Sequence, residues 1–308
     1  MAAISPTVAV AFVANVAVAV AKSAAALLTG SASMTAEAAH SWADAGNEVF
    51  LFVAERRGAT ARDATHPLGY GRETYFWSTV AAFGLFTVGA VVSILHGIQQ
   101  LGVPEKGGPF WIAYLVLGVS AIFEGISFTQ ALRAARAAAA KRGKPTLEHV
   151  LQSSNPTLRA VFAEDSAALI GLGIAAIGIL LHQLTGSAIY DAAGSILVGV
   201  LLVIVAIILI ERNRRFLIGQ VPSNDLKNAA LRTLLERDDI DRVTFIHLEF
   251  VGPERVFLVA AVDLTGNETE ERVAIALKRI ADDLEENKHI EQAVLTLAVS
   301  DEESLEPT

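Results

Sequence analysis

The chain has 308 residues, 53% of them hydrophobic, a composition more apolar than that of an ordinary soluble domain. It contains no cysteine, which excludes disulfides and thiolate metal sites and fits a reducing compartment. The formal charge of −9 is unevenly spread: from Phe216 onward there are 20 acidic and 9 basic residues, or −11, leaving +2 before them. So acidic a tail argues against nucleic acid or anionic lipid as its partner.

Apolar blocks of roughly 20 residues, the length a helix needs to cross about 30 Å of hydrocarbon, recur up to Ile210. They predict six helical spans near Val8–Leu28, Ala32–Val53, Tyr75–Ile98, Phe110–Leu132, Leu158–Leu181 and Ala188–Ile210. The N-terminus has no basic segment and no cleavage motif, so the first block is expected to be a retained span. Arg56, Arg57, Arg62 and Arg72 follow span two, Arg133, Arg136, Lys141, Arg142 and Lys144 follow span four, and Arg212, Arg214 and Arg215 follow span six. The opposite loops offer only Lys106. Positive residues mark the cytoplasmic side, which places both termini there. Ala-rich helices and the missing presequence favour a bacterial plasma membrane.

After residues 1–215, the tail predicts a small α/β domain over 216–300 and a disordered end over 301–308. Asp225–Arg237 is expected to be a helix opened by Ser223 or Asn224. Arg242–Phe250 and Arg255–Leu264 alternate as strands around a turn at Gly252-Pro253. Glu268–Asn287 has the apolar face of a helix, and Ala293–Val299 reads as a last strand. The order α-β-β-α-β suits a sheet with both helices on one face.

Ionisable groups inside a membrane helix cost roughly 2.5–3.5 kcal/mol each near the midplane, so those present ask for a role. Span two carries Glu37, His40, Asp44, Asn47 and Glu48, and positions 37, 40, 44 and 47 share one face. His40 and Asp44, at i and i+4, can bring an imidazole nitrogen and a carboxylate oxygen to one ion. Alternatively, they only hydrogen-bond to neighbouring helices. Span five holds Glu164-Asp165, adjacent acids that repel unless one is protonated or a cation lies between them. Glu124 in span four reads as a lone acid. His96, His149 and His182 lie at span ends or in loops and are read as structural.

These residues sit in an arrangement that resembles the cation diffusion facilitator family, also called zinc-transporter-like proteins. Lys22 through Asp44 reads K-x7-G-S-x-S-x5-A-H-S-x-x-D. His66-Pro67-Leu68-Gly69-Tyr70-Gly71-Arg72-Glu73 looks like the HP-x-GYG-R/K-E signature, and Tyr190-Asp191 with Gly194 and Gly199 resembles the entry to the sixth span. The Glu-Asp pair resembles the branch related to the mitochondrial zinc transporter. The resemblance implies an α-helical membrane protein, with six transmembrane helices followed by a cytoplasmic ferredoxin-like α/β domain. It further implies a homodimer exchanging cytoplasmic Zn²⁺, or Mn²⁺, Fe²⁺ or Co²⁺, for protons, with no prosthetic group, no enzymatic activity and no nucleic-acid partner.

The family's tetrahedral transport site takes two ligands from span two and two from span five. His40, Asp44 and Asp165 match three, and Val161 stands at the fourth. Glu164 is the candidate substitute; a water can also fill an open position. In the family's accessory site Asp63 and His66 match, while Tyr70 replaces a second His, so His66 is expected to brace the loop instead. In the tail only His247 and His289 occur, with Val262 and Ala298 near the expected ligand positions, so it is expected to dimerise by packing without a structural metal. Two other readings remain at this point: a non-transporting scaffold or metal-responsive regulator of the same fold, and an intramembrane hydrolase, which lacks a nucleophile elbow or HExxH pair.

Overall fold

The computed structural model describes residues 6–102, 108–141, 143–266 and 268–307. Lys106 and Arg142, both used for sidedness, lie outside them. The chain splits into two compact units, Met1–Ala54 with Phe76–Asn213, and Glu55–Tyr75 with Arg214–Thr308. The break near Arg214 falls beside the expected boundary. The loop after span two, expected to belong with the membrane helices, groups with the tail instead.

The first unit is helical. α1 (Pro6–Thr29) turns through Gly30, whose φ of 70° is left-handed and open to glycine at little cost, into α2 (Ala32–Gly58). α3 (Gly71–Ala81) runs through a π turn at Ala82–Phe86 into α4 (Thr87–Gln100). α5 (Phe110–Lys141), a short α6 (Thr146–Gln152), α7 (Pro156–Thr185) and α8 (Ile189–Leu217) follow. The sequence reading left α6 in a loop. Asn155 caps α7, its side chain accepting the Leu158 N–H, with Pro156 at the first helical position.

Five stretches are long and apolar enough to cross a membrane: Phe12–Thr29, Gly71–Gln100, Phe110–Ala140, Pro156–Thr185 and Ile189–Leu217. The chain is therefore a multi-pass membrane protein. α2, the sixth expected span, is 27 residues long but fails by composition, because its polar stripe replaces apolar positions. Buried contacts between these helices are rich in alanine: Ala25, Ala26, Ala113 and Ala175 in one cluster, Ala82, Ala90, Ala167 and Ala206 in another. Small side chains let helix backbones approach closely, which is how helices associate where lipid removes the hydrophobic drive. Gly97 and Gly199 do the same between α4 and α8, where an added Cβ would lie 2.8 Å from Ala192 O and 3.0 Å from Ala90 O respectively.

The second unit contains α9 (Asn224–Leu235), β1 (Ile240–Gly252), β2 (Arg255–Leu264), α10 (Glu270–Glu285) and β3 (Ile290–Leu297), in the expected order. β1 pairs antiparallel with β2 and β2 parallel with β3, in sheet order β1-β2-β3. Alternate residues of β2, Val256, Leu258, Ala260 and Val262, share one core with Leu231 and Leu234 of α9 and Ile280 and Leu284 of α10. Both helices therefore cover one face of the sheet.

Two features of this unit depart from expectation. Residues 301–307 are held rather than disordered: Leu305 packs on the core and its N–H donates to Val243 O at 2.8 Å, and Glu302 Oε2 accepts Thr244 Oγ1 at 2.7 Å. The acidic composition of this end masked one apolar anchor and its partners on β1. The loop at 55–75 is tied to the tail as well. Arg62 donates to Glu285 Oε2 at 2.9 Å and to Glu291 O at 3.1 Å, and Arg72 pairs with Glu249. Gly71 lies against the backbone of Val251 and Gly252, and Tyr75 stacks on Phe216 at 5.0 Å.

Candidate metal centre

Inside the first unit, the polar stripe of α2 turns inward: Glu37, His40 and Asn47 are buried, and Asp44 is half-buried. His40 Nε2 lies 3.3 Å from Asp44 Oδ2. Both residues keep a buried atom without a hydrogen-bond partner, His40 Nε2 and Asp44 Oδ1. Buried polar atoms are almost always paired, so two orphans on neighbouring metal-binding side chains mark a place where a cation fits. The ring of Phe86, from the π turn, stands 6.4 Å from the His40 ring. π turns recur at functional sites, and here one delivers an aromatic wall to the imidazole.

The span-five acids take separate partners. Glu164 accepts from Asn47 Nδ2 on α2, and Asp165 Oδ2 accepts the Ser127 hydroxyl of α5 at 2.9 Å. Asp44 is within electrostatic reach of both acids and of Glu124, which is thus part of the same polar interior rather than a lone acid. Among the described residues, no three His, Asp or Glu side chains are gathered closely enough to hold a metal ion. The structure therefore joins His40 to Asp44, holds Glu164 and Asp165 on neighbouring helices, and leaves Val161 half-buried beside them. A cation would draw Asp165 from Ser127 and Glu164 from Asn47.

Three contributors escaped the sequence reading. Lys22, taken only as an interruption of span one, donates from Nζ to Glu37 Oε2 at 2.9 Å, with both side chains fully buried. Asn15 Nδ2 donates to Glu48 Oε1 at 2.5 Å. The signal was present, since an intramembrane lysine calls for a named partner. Asp191, quoted only as part of a motif, closes the N-terminus of α2. It accepts the N–H of Ala32 at 2.7 Å and of Ser33 at 3.2 Å, and the Ser31 hydroxyl at 3.0 Å. A carboxylate there satisfies orphan helix donors and complements the dipole, fixing the height of the stripe that carries His40 and Asp44.

The expected accessory pair is engaged in its own loop. Asp63 Oδ1 accepts the Thr65 hydroxyl at 2.7 Å and the N–H groups of Thr65 and His66 at 2.8 Å, while Oδ2 accepts the Tyr70 hydroxyl at 2.8 Å. The Thr65 and Tyr70 hydroxyls and the His66 N–H hold the Asp63 carboxyl well below the usual carboxylate range. His66 stacks on Tyr70 with ring centroids 3.9 Å apart, bracing the loop. In the tail, His247 Nε2 is 3.9 Å from Glu249 Oε2 and His289 Nδ1 is 3.0 Å from Glu254 O.

The sequence profile of the cation efflux transmembrane domain matches residues 8–218. The chain is 36% identical over 231 residues to metal tolerance protein C4 of Arabidopsis thaliana, covering 75% of this chain and 50% of that protein. It is 36% identical over 239 residues to the mitochondrial proton-coupled zinc antiporter SLC30A9 of Xenopus laevis, covering 77% and 43%. The Homo sapiens protein of the same name is 32% identical over 241 residues, covering 78% and 42%. The chain spans about half the length of the curated relatives it matches.

Proposed function

The chain belongs to the cation efflux family, and from that premise we propose that it carries a divalent metal cation across a membrane in exchange for protons. Zn²⁺ is the first candidate, and Mn²⁺, Fe²⁺ and Co²⁺ suit the same nitrogen and oxygen donors. The two animal relatives compared are named proton-coupled zinc antiporters, which supports both the ion and the coupling. The observation that carries the reading is the orphaned pair on α2, His40 Nε2 and Asp44 Oδ1, buried beside the acids of α7.

In this reading α2 is the sixth span, polar because it carries the cargo site. Entering from the cytoplasm, the cation takes His40 Nε2, Asp44 and Asp165, with Glu164 as fourth ligand in place of Val161. Metal ligands bind in their deprotonated forms, so protons arriving from the far side compete for the same groups and release the ion. His40 has the reference titration range suited to such exchange near neutral pH. The charge bias of the loops keeps both termini cytoplasmic, and the sheet domain joins two copies in a homodimer. The plasma membrane is the setting favoured by the sequence, although the animal relatives carry a mitochondrial label.

Proteoliposomes holding a Zn²⁺-sensitive dye and a pH-sensitive dye test the proposal. Ion movement with an opposing pH change is expected from the wild type and not from Asp44→Ala or Asp165→Ala. Folded wild-type protein that moves none of the four cations at any pH gradient would overturn it.

A further inference from the structure

Lys22 and Glu37 take no part in the proposed ligand set, yet they form an ion pair 1% and 0% exposed within the helices. Such a pair gives little net stability, since apolar replacements of similar size are often neutral or better. Its geometry suggests another use. Lys22 occupies Glu37 Oε2, and Glu37 Oε1 is buried with no hydrogen-bond partner. Oε1 is turned into a notch on α7 made by Gly171: a Cβ there would lie 2.6 Å from Glu37 Oε1 and 3.8 Å from His40 Nδ1. The opposite nitrogen of the same ring, Nε2, lies 3.3 Å from Asp44 Oδ2. The imidazole thus has Asp44 at one nitrogen and the Glu37 notch at the other.

We propose that Glu37, anchored by Lys22 and given room by Gly171, is a positioning residue that keeps the proton on His40 Nδ1 and so leaves Nε2 free to bind the cation. The inference rests on the cation-transport reading above. A neutral imidazole carries one N–H, and the acceptor at one nitrogen decides which lone pair remains at the other. Metal-bound histidines almost always donate their second N–H to a carboxylate, carbonyl or water, and losing that partner costs about 10–100-fold in metal affinity. Lys22 supplies the offsetting charge that lets a carboxylate stand in the membrane interior, and it fixes which oxygen is left for the ring.

The test uses full-length protein in lipid, labelled with ¹⁵N at histidine and free of metal, with the His40 signals assigned from His40→Gln. The wild type is expected to show His40 protonated at Nδ1 and to bind Zn²⁺ by calorimetry. Glu37→Gln strands a buried ammonium, so two further variants accompany it: Lys22→Met/Glu37→Gln keeps the charge balance, and Gly171→Ala keeps both charges while pushing the carboxylate from the notch. Each should shift His40 toward the Nε2–H tautomer and weaken Zn²⁺ binding about 10–100-fold. Gly171→Ala/Glu37→Asp, with a shorter acid, should recover part of the loss. Folded variants with unchanged tautomer and affinity overturn the proposal. A wild type that binds no divalent cation sinks the transport reading instead, and the tautomer shift then decides the role of Glu37 alone.

Discussion

Asp191 reaches across 160 residues of sequence to accept the Ser31 hydroxyl at 3.0 Å, placing the start of α8 on the start of α2. The same carboxylate holds two backbone donors of α2, so it works as a cap supplied from another helix. Asp191→Ala leaves three donors without their acceptor and is expected to cost about 1–3 kcal/mol, with Asp191→Asn losing less. Thermal unfolding in detergent measures it. A drop in Zn²⁺ affinity should accompany the loss, because the cap sets the position of His40 and Asp44 along the helix axis.

Val161 occupies the place where the fourth ligand is expected, and Glu164 is its proposed substitute. Glu164→Gln should therefore weaken Zn²⁺ binding, and Val161→Asp in that background should restore it by completing a four-ligand shell. Calorimetry of the single and double variants reads the result. Rescue failing while Val161→Asp alone leaves affinity unchanged would remove α7 from the ligand set.

Gly71 sits where no side chain fits. An added Cβ would lie 2.5 Å from Val251 O and 2.6 Å from Gly252 Cα, both backbone atoms that do not yield easily. Gly71→Ala should destabilise the packing of the loop on β1 by about 1–3 kcal/mol. Faster tryptic cleavage at Arg56, Arg57 or Arg62 reports it. Arg62→Ala removes an exposed pair instead and should change stability by less than about 1 kcal/mol.

The depressed titration of Asp63 sets a pH window. Its folded value lies below its unfolded one, so its contribution is present above the ordinary aspartate range, about 3.9, and is lost as pH falls through the depressed value. Loop protection from protease should be flat between pH 5 and 8 on that account. Asp63→Asn should expose the loop throughout that range, and His66→Ala should leave the Zn²⁺ stoichiometry of the protein unchanged by calorimetry.

Spans and strands were legible because apolar runs and alternation report burial directly, and the element order of the tail followed. What the sequence hid were partners. Glu164 and Asp165 were visible as an unusual acidic pair, but their attachment to Asn47 and Ser127 depends on how α7 faces α2 and α5. Glu124 looked alone because its neighbours come from other helices. Lys22 was legible as a cost, yet Glu37, fifteen residues away on the next helix, had no mark as its partner. Leu305 was lost in a charged end because one anchoring contact has no periodicity.

The π turn at Ala82–Phe86 amounts to one residue more than a regular helix needs. Deleting Gly84 would restore the ordinary ladder and, at about 100° per residue, rotate everything beyond it by more than a quarter turn. Gly97 would then no longer face Ala192, and the tight crossing of α4 with α8 would meet larger side chains. The length of this stretch is therefore a constraint in itself: a single-residue deletion that leaves every side chain of the cargo site intact would still misalign the helices around it.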